Sequence, residues 1–251
     1  MKLSLIIPVY NEAPNLQRFL TGIDELDLEV TKELVIINDC STDGSTAILD
    51  AFSFRSQHKI IHLAANRGKG AAIQTGIAQA SGDIIGVQDA DFEYDIGDIS
   101  TLIEPLLRNR ADIVYGSRFK KSGEQVHRTL HYLINRFLTL LSNLSCGLYL
   151  TDMETCYKFF RRDIITNLQL ESCRFGFEPE VTAKIARLKA RIVEIPISYY
   201  PRNYLQGKKI SWRDGIAAIR HIFYFNFMVK PATYIKPELP KHYLPSSGHW
   251  L

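Results

Sequence analysis

The first half of the chain alternates short apolar runs with stretches of helical periodicity, which limits the possible folds more than any other feature. Runs rich in Val, Ile and Leu occur at 3–9, 33–37, 59–63 and 84–88, separated by helical patterns at 15–26, 45–52 and 70–80. Strands that alternate with helices of this length form βαβ units, in which helices cover both faces of a parallel sheet. The sequence therefore predicts an α/β fold with a mostly parallel sheet.

The second half is less regular. After a short strand at 113–115 and a polar loop at 120–125, a long amphipathic helix is predicted from Leu130, Leu133, Ile134, Phe137, Leu140, Leu141 and Leu144. A helix at 179–188, a strand at 191–199 and a basic loop follow, and the Pro-rich segment from Pro231 onward predicts an extended tail. We expect one domain over 1–230, with halves at 1–115 and 116–230, and a tail over 231–251.

Composition narrows the class of protein. The 251 residues have an apolar fraction of 46% and four cysteines, none of them in a CxxC pair. A chain of this length can bury one sizeable core, and no charged-then-apolar leader precedes the first apolar run. These features predict a cytoplasmic protein with free thiols.

Two amphipathic segments are the longest apolar stretches. They cover 129–150, interrupted by His131, Asn135 and Arg136, and 216–229, which carries Arg220 and His221. Neither has the roughly 18 to 20 consecutive apolar residues that a membrane-spanning helix needs. At most they lie on a membrane surface as peripheral contacts, and burial in the protein core is the alternative.

Charge is divided unevenly along the chain. Residues 1–115 carry nine Lys and Arg against 17 Asp and Glu, a net −8, whereas residues 116–251 carry 21 against 10, a net +11. The acidic first half is therefore expected to bind cations, and the basic second half to bind anions such as phosphorylated substrates, an acidic lipid surface or nucleic acid. The adjacent Lys208 and Lys209 are too few for a nucleic-acid patch, so no nucleic-acid partner is expected.

Acidic residues follow three of the predicted strands. The segment Gln88-Asp89-Ala90-Asp91 follows the run 84–87, Asp39 ends the second strand, and Tyr10 and Glu12 follow the first. Ligands of open α/β sheets bind at the carboxyl ends of the strands. Two carboxylates one residue apart suit a hard divalent cation that neutralises a diphosphate, and an N-cap of the next helix is the alternative for either Asp.

In these segments the chain resembles the inverting family 2 glycosyltransferases of GT-A fold, and in particular the dolichyl- or polyprenyl-phosphate hexosyltransferases. The resemblance covers about residues 3–212, and its motifs occur in the family's order. It implies a Rossmann-like sheet flanked by helices, a nucleotide-sugar donor such as GDP-mannose or UDP-glucose, Mg²⁺ or Mn²⁺ held by Asp89 and Asp91, and a lipid-phosphate acceptor. It also implies work at the cytoplasmic face of a membrane.

The resemblance implies a donor site built mainly from the first half of the chain. Its residues are Pro8, Tyr10, Glu12, Asp39, Lys69, Gln88, Asp89, Lys208 and Lys209. Asp39 would contact the base or ribose, but the family more often has two acids where this chain has Asn38-Asp39, so base preference stays open. The turn 66–70 precedes a helix whose free N–H groups suit an anion, and a plain turn is the alternative.

The resemblance also implies an acceptor site. Arg118 matches the family's acceptor-phosphate arginine, and its planar fork can grip two phosphate oxygens. Arg128 or His131 would be a second phosphate ligand, with a solvated surface arginine as the alternative for Arg128. Glu180 would face the sugar or an arginine, and a plain acid at a helix start is the alternative. In the segment 151–158, Asp152 and Thr155 fit a family motif, whereas Cys156 replaces a common glycine.

The implied catalytic residues are Asp91, Arg118 and Arg202, the last in a basic loop that closes over the donor. An acceptor phosphate is already ionised at neutral pH and needs no strong base. Transfer to a sugar hydroxyl in polysaccharide or glycolipid synthesis is the alternative reaction, and it would need Glu93 or Asp95 as base. A non-catalytic nucleotide-binding protein of the same fold is the third possibility.

Overall fold

One seven-stranded sheet runs through the computed structural model, which describes residues 1–120, 129–174, 176–201 and 212–245. Its strands are β1 (Lys2–Val9), β2 (Thr31–Asn38), β3 (Gln57–His62), β4 (Ile84–Val87), β5 (Ile113–Ser117), β6 (Lys158–Arg161) and β7 (Ile192–Pro196). Their order is β3-β2-β1-β4-β6-β5-β7, and β6 alone runs antiparallel to its neighbours. The predicted mostly parallel α/β fold is confirmed.

Helices connect the strands and cover the sheet. They are α1 (Ala13–Glu25), α2 (Ser45–Ala51), α3 (Lys69–Gln79), α4 (Asp98–Leu107), α5 (Thr129–Cys146), α6 (Arg162–Ile165), α7 (Phe177–Ile185) and α8 (Trp212–Phe223), which continues into a π-helical turn at Tyr224–Met228. Each strand and helix expected from the sequence is present, with ends that differ by at most three residues. No helix in the described ranges combines the length and hydropathy needed to cross a membrane.

Strand β6 was not expected from the sequence. Its four residues are too few to show alternation, and strand β4 on one side and β5 on the other provide the pairing that makes them a strand. The ring of Phe159 crosses Gly86 of β4 so closely that a Cβ there would lie 2.2 Å from Phe159 Cε1. Glycine at position 86 therefore allows β6 to pack in the middle of the sheet.

The strand order creates a crevice between β1 and β4. The chain leaves β1 toward β2 and β3 on one side and returns to β4 on the other, which is the reversal point where open α/β sheets bind ligands. The backbone N–H of Gln88 donates to Ile6 O at 2.9 Å, so the pairing of β4 with β1 extends to the residue before Asp89. The sheet thus delivers the predicted acidic segment to the crevice.

The segment after Lys230 packs on the domain, whereas the sequence predicted an extended tail. It forms two short 3₁₀ helices, Pro231–Thr233 and Lys241–Tyr243, and buries Tyr234, Leu239 and Tyr243. Backbone hydrogen bonds tie it to the body of the protein, including Gln169 N to Tyr234 O and Lys189 N to Tyr243 O, both 2.8 Å. The sequence pattern missed this packing because three isolated apolar residues form no periodicity.

Glu33 near the start of β2 makes stability depend on pH. Burial acts to raise the pKa of Glu33, but hydrogen bonds from Lys2, Ser4 and Ser81 outweigh it and lower the pKa from 4.5 to about 2. A carboxyl with a lowered folded-state pKa stabilises the protein above its unfolded pKa and loses that contribution as pH falls toward the folded value. Stability should therefore decline between about pH 5 and about pH 2.

We expect Glu33→Gln to lower the free energy of unfolding at neutral pH by about 2 to 3 kcal/mol. The difference from wild type should shrink as pH falls through the same window, as measured by urea unfolding at several pH values. Glu25→Gln, at a carboxylate that is 54% exposed, is the matched control and should change little. A difference that stays constant with pH would contradict the role given to Glu33.

Candidate active site

Asp39 shapes the loop beside the crevice. Its backbone N–H donates to Val9 O at 2.8 Å, and its buried carboxylate accepts hydrogen bonds from Arg67 N at 2.8 Å and Gly68 N at 2.7 Å. Gly68 has a φ of +91°, a conformation that glycine adopts without steric cost. The end of β2 therefore holds the turn that starts α3, and Asp39 lies at the rim where the sequence placed it.

The N-terminus of α3 is packed against the loop at 172–174. Gly70 N donates to Arg174 O at 3.2 Å and Ala71 N to Cys173 O at 2.9 Å, while a Cβ on Gly70 would lie 2.1 Å from Ser172 O. Two N–H groups that the sequence analysis offered to an anion are thus bonded within the protein. Glycine is needed at position 70 for this close approach.

Lys69 joins three elements across the crevice. Its Nζ lies 2.9 Å from Asp89 Oδ2 and 3.4 Å from Glu178 Oε1, which belongs to the first turn of α7. Burial acts to lower the pKa of Lys69, but the two carboxylates outweigh burial and hold the pKa well above its ordinary value. Lys69 therefore stays charged and fixes Asp89 against α3 and α7.

The loop after β4 is held in a tight turn. Asp91 Oδ1 accepts a hydrogen bond from Glu93 N at 3.1 Å, and Phe92 between them has a φ of +57°, which is uncommon for an aromatic residue. The Phe92 ring packs edge-on against Phe19, and the Arg18 guanidinium lies over it at 5.2 Å. This packing holds the backbone that presents Asp91.

Tyr199 links this loop to the segment after β7. Its hydroxyl donates to Glu93 Oε2 at 2.9 Å, and Tyr200 N donates to Glu93 O at 2.8 Å. The Tyr199 ring also lies 5.2 Å from Arg118 Cζ, within the range of a cation–π contact. The acidic loop and Arg118 therefore meet through one tyrosine, which the sequence analysis did not select although it follows a strand end.

Arg118 is almost completely buried and paired with Asp152. Its Nε and Nη2 donate to the two oxygens of Asp152, both at 2.7 Å, and its backbone N–H donates to the same carboxylate at 3.0 Å. Burial acts to lower the pKa of Arg118, but Asp152 raises it well above the ordinary value. Asp152 takes two of the five guanidinium N–H donors and fixes the plane of the fork.

Glu154 is a further buried acid near the site. Its Oε1 has no hydrogen-bond partner in the described part of the chain, and burial together with the nearby charge of Glu178 raises its pKa to about 8. Burial therefore disfavours the ionised form of Glu154. Glu154 and Glu178 were missed as site residues because no sequence pattern distinguishes them from ordinary surface acids.

The other predicted donor residues lie at or beneath the rim. Tyr10 is 37% exposed at the end of β1, Glu12 precedes α1 with its N–H donating to Ser45 Oγ, and Pro8 pairs with Ile37 inside the sheet. Gln88 is fully buried; its Oε1 accepts the Tyr157 hydroxyl at 2.6 Å. These residues thus lie at or near the adjacent carboxyl ends of β1 and β4, with the Gln88 amide buried.

The predicted acceptor residues in the described ranges lie on three different elements: Arg118 follows β5, His131 is on α5 and Glu180 is on α7. Glu180 is fully buried, and its oxygens accept backbone N–H groups of Glu171 and Ser172, each at 2.8 Å, and the Lys184 ammonium. These contacts give Glu180 a structural role at the start of α7, and its acceptor role stays a prediction. His131 is half-buried on α5. Other predicted site residues lie outside the described ranges, namely Arg128, Arg202, Lys208 and Lys209.

The carboxylates near β4 fit a divalent cation in their chemistry. In the parts of the chain that the structure describes, no group of three or more His, Cys, Asp and Glu side chains converges on one metal position. Magnesium sites in phosphate-handling proteins commonly use one or two carboxylates and complete the shell with phosphate oxygens and water. Asp89 and Asp91 suit such an incomplete site, and their role as metal ligands stays a prediction.

Comparisons with known proteins identify the family of the chain. The sequence profile of glycosyl transferase family 2 matches residues 4–168. The dolichol-phosphate mannosyltransferase of Pyrococcus furiosus is 28% identical over 89% of this chain, which spans only 63% of that protein's length. The undecaprenyl-phosphate mannosyltransferase of Micrococcus luteus is 30% identical, over 87% of this chain and 92% of its own length.

Solved structures share the fold. Glucosyl-3-phosphoglycerate synthase from Mycobacterium tuberculosis, in complex with Mn²⁺, UDP and glucosyl-3-phosphoglycerate, has a TM-score of 0.67 and 17% identity, over 98% of this chain and 82% of its own. TarS of S. aureus with UDP-GlcNAc has a TM-score of 0.60 and 19% identity, over 93% of this chain and 69% of its own. The predicted GT-A fold is confirmed.

The pairing of Arg118 with Asp152 can be tested by a double-mutant cycle. Asp152→Ala should lower the free energy of unfolding by about 3 to 5 kcal/mol, because it leaves a buried guanidinium without its counter-charge. Adding Arg118→Met should recover part of that loss, so urea unfolding of the single and double variants should be non-additive. Glu104→Ala removes an exposed ion pair with Arg108 and is the control, with a change of about 0.5 kcal/mol or less. Additive losses would contradict the pairing.

Proposed function

The chain belongs to glycosyl transferase family 2, and on that basis we propose that it transfers a hexose from a nucleotide sugar to a polyprenyl or dolichyl phosphate. One arrangement carries this proposal. The Tyr199 hydroxyl holds Glu93 in the acidic loop that contains Asp91, while its ring packs against the buried Arg118. A cation-binding loop and a phosphate-binding arginine therefore lie on the two sides of one side chain.

The relatives support the acceptor more than the donor. Their names specify mannose, glucose, 4-deoxy-4-formamido-L-arabinose or galacturonate, but in each case the acceptor is a prenyl phosphate. Arg118 suits such a group, because a guanidinium fork matches the geometry of phosphate oxygens. The proposed donor is GDP-mannose or UDP-glucose, with Tyr10 and Asp39 beside its nucleoside.

The proposed cofactor is Mg²⁺ or Mn²⁺, held by Asp91 and Asp89. When bound, such an ion supplies positive charge that neutralises the donor diphosphate. Lys69 fixes Asp89, and the hydrogen bond from Glu93 N orients Asp91. Arg202, Lys208 and Lys209 complete the proposed donor site from the basic loop that follows Tyr199 and Tyr200 in the sequence.

The carboxylates near the site favour a phosphate acceptor over a sugar hydroxyl. A hydroxyl acceptor would need Glu93 or Asp95 as base. Glu93 already accepts the Tyr199 hydroxyl, and Asp95 Oδ1 accepts Gly97 N at 2.9 Å. A phosphate monoester, which is ionised at neutral pH, can attack the anomeric carbon from the face opposite the leaving diphosphate without such a base.

Because a prenyl phosphate resides in a bilayer, we also propose peripheral action at the cytoplasmic membrane face.

The test is direct transfer. The purified full chain is incubated with Mg²⁺ or Mn²⁺, a polyprenyl phosphate, and GDP-mannose or UDP-glucose in separate reactions, and mass spectrometry detects the hexosyl lipid phosphate. We expect product with one donor, loss on addition of EDTA, and a fall in turnover of about a hundredfold or more in Asp91→Asn, because a charged metal ligand is removed.

Asp163→Asn is the matched control, since Asp163 is exposed on α6, away from the crevice, and the change should leave turnover unaffected. Donor hydrolysis without lipid product would argue for a hydroxyl acceptor. Binding of the nucleotide sugar without any turnover would argue for a non-catalytic protein.

A further inference from the structure

Glu194 is a buried acid in the edge strand β7, and its side chain is only 5% exposed. Its Oε1 accepts two successive backbone N–H groups, from Thr151 at 2.9 Å and from Asp152 at 3.0 Å. Its Oε2 accepts the Thr151 hydroxyl at 2.8 Å. Successive N–H groups that point at one oxygen form a concavity that suits an anion. The carboxylate of Glu194 therefore fixes the backbone of the segment 151–152.

This segment carries the counter-ion of Arg118. The Asp152 carboxylate accepts Arg118 Nε and Nη2, both at 2.7 Å, and the Arg118 backbone N–H at 3.0 Å. Glu194 holds the Asp152 backbone, and the Asp152 side chain holds the guanidinium. The orientation of the Arg118 guanidinium therefore depends on a carboxylate that belongs to a different strand.

A second set of hydrogen bonds connects Glu194 to the two residues that flank Arg118. The Thr151 and Ser117 hydroxyl oxygens lie 2.6 Å apart, and Ser117 Oγ accepts Phe119 N at 3.2 Å. Because the Thr151 hydroxyl donates its proton to Glu194, the Ser117 hydroxyl is the donor to Thr151 and keeps a lone pair for Phe119 N. Glu194 thus sets the direction of each hydrogen bond in this set.

Lys120 connects Glu194 to the chain that follows Arg118. Its Nζ lies 3.2 Å from Glu194 Oε2 and donates to Glu194 O at 3.1 Å. The strand end before Arg118, the chain after it and its counter-ion are therefore all tied to one carboxylate. A residue that only completed the edge of the sheet would not need contacts that converge on one arginine.

The contacts of Arg118 leave one edge of its guanidinium for a ligand. Asp152 takes the edge formed by Nε and Nη2, and Nη1 donates to no acceptor within the described ranges. The remaining edge, formed by Nη1 and Nη2, presents two parallel N–H groups that match two phosphate oxygens. Such a bidentate contact requires a fixed guanidinium plane, so a rotation of the plane weakens phosphate binding.

We propose that Glu194 is a positioning residue for the acceptor phosphate, because it sets the plane of the Arg118 guanidinium through Asp152 and Thr151. The contacts from Glu194 to Arg118 stand on the structure, whereas their effect on an acceptor phosphate rests on the proposed function. A purely structural Glu194 is the opposing view, in which its loss lowers stability and leaves phosphate binding unchanged.

Two substitutions at position 194 separate these views. Glu194→Met keeps a side chain of similar length but removes both acceptor oxygens, whereas Glu194→Gln keeps one oxygen that can accept both backbone N–H groups. The probe is geranyl phosphate, a water-soluble prenyl phosphate, titrated with the full chain and followed by its ³¹P resonance. We expect Glu194→Met to raise the dissociation constant about tenfold, and Glu194→Gln to stay within about twofold of wild type.

A double-mutant cycle tests whether Glu194 acts through Arg118. In an Arg118→Met background, Glu194→Met should change the dissociation constant of geranyl phosphate no further, because the group that it orients is absent. Additive losses would mean that Glu194 acts independently of Arg118 and would overturn the proposal.

Glu33→Gln is the control for a general loss of stability. Glu33 is also a buried, multiply hydrogen-bonded acid, but it lies near the start of β2, at the opposite edge of the sheet from the strand ends that form the site. This variant should unfold more easily than wild type and bind geranyl phosphate equally well. A loss of binding in Glu33→Gln as large as that in Glu194→Met would overturn the proposal.

An NMR signal reports the orientation of Arg118 without any acceptor. The ¹H–¹⁵N resonance of Arg118 Nε, assigned by its absence in Arg118→Met, should be similar in wild type and Glu194→Gln and shifted or lost in Glu194→Met. Thr151→Val removes only the hydroxyl contacts, so it keeps the test available if Glu194→Met does not fold. It should shift the same resonance and weaken geranyl phosphate binding about threefold.

The two readouts separate this inference from the proposed function. An Arg118 resonance that is unchanged in the folded variants would overturn the positioning role. A resonance that responds as expected, in a protein whose wild type binds no geranyl phosphate, would support the control of Arg118 by Glu194 and overturn the proposed acceptor.

Discussion

The pairing of β1 with both β2 and β4 is the constraint on which the site depends. It places the carboxyl ends of these three strands side by side, and hydrogen bonds beyond the strands, from Asp39 N to Val9 O and from Gln88 N to Ile6 O, carry the alignment into the loops. The acidic residues after these strands therefore lie at one edge of the sheet, although Asp39 and Asp89 are 50 positions apart in the sequence. Their closeness follows from sheet topology rather than from local conformation.

Two buried cations then fix the side chains around the ends of these strands. Lys69 pairs with Asp89 and with Glu178 of α7, and Arg118 pairs with Asp152 and lies against Tyr199. In each case a cation in a low-dielectric position lies within 4 Å of a carboxylate, which offsets the cost of burial and restricts the geometry. The protein itself thus fixes these side chains, and if they bind the donor and acceptor as proposed, this lowers the entropy lost on binding.

The two amphipathic segments show how the tertiary structure resolves an ambiguity of the sequence. Their periodicity is compatible with a core helix or with a surface helix, because the pattern shows which residues share a face and not which way that face points. In the structure the inward side of α5 is filled by Leu138, Thr139 and Ser142, and the larger apolar side chains point outward. Burial of the stripe is excluded by the position of α5 on the domain.

The sequence by itself determined the α/β class, the succession of βα units along the chain and the sheet edge at which Asp39, Asp89 and Asp91 lie. It could do so because hydrophobic periodicity and the residues that follow a strand are both local features of the sequence. The tertiary structure alone decided that β6 enters the sheet antiparallel and that Tyr199 contacts both Glu93 and Arg118. It also decided that the N–H groups of Gly70 and Ala71 donate hydrogen bonds to the carbonyl groups of residues 174 and 173. These are contacts between residues distant in sequence, and no short-range pattern encodes which partner a buried polar group finds.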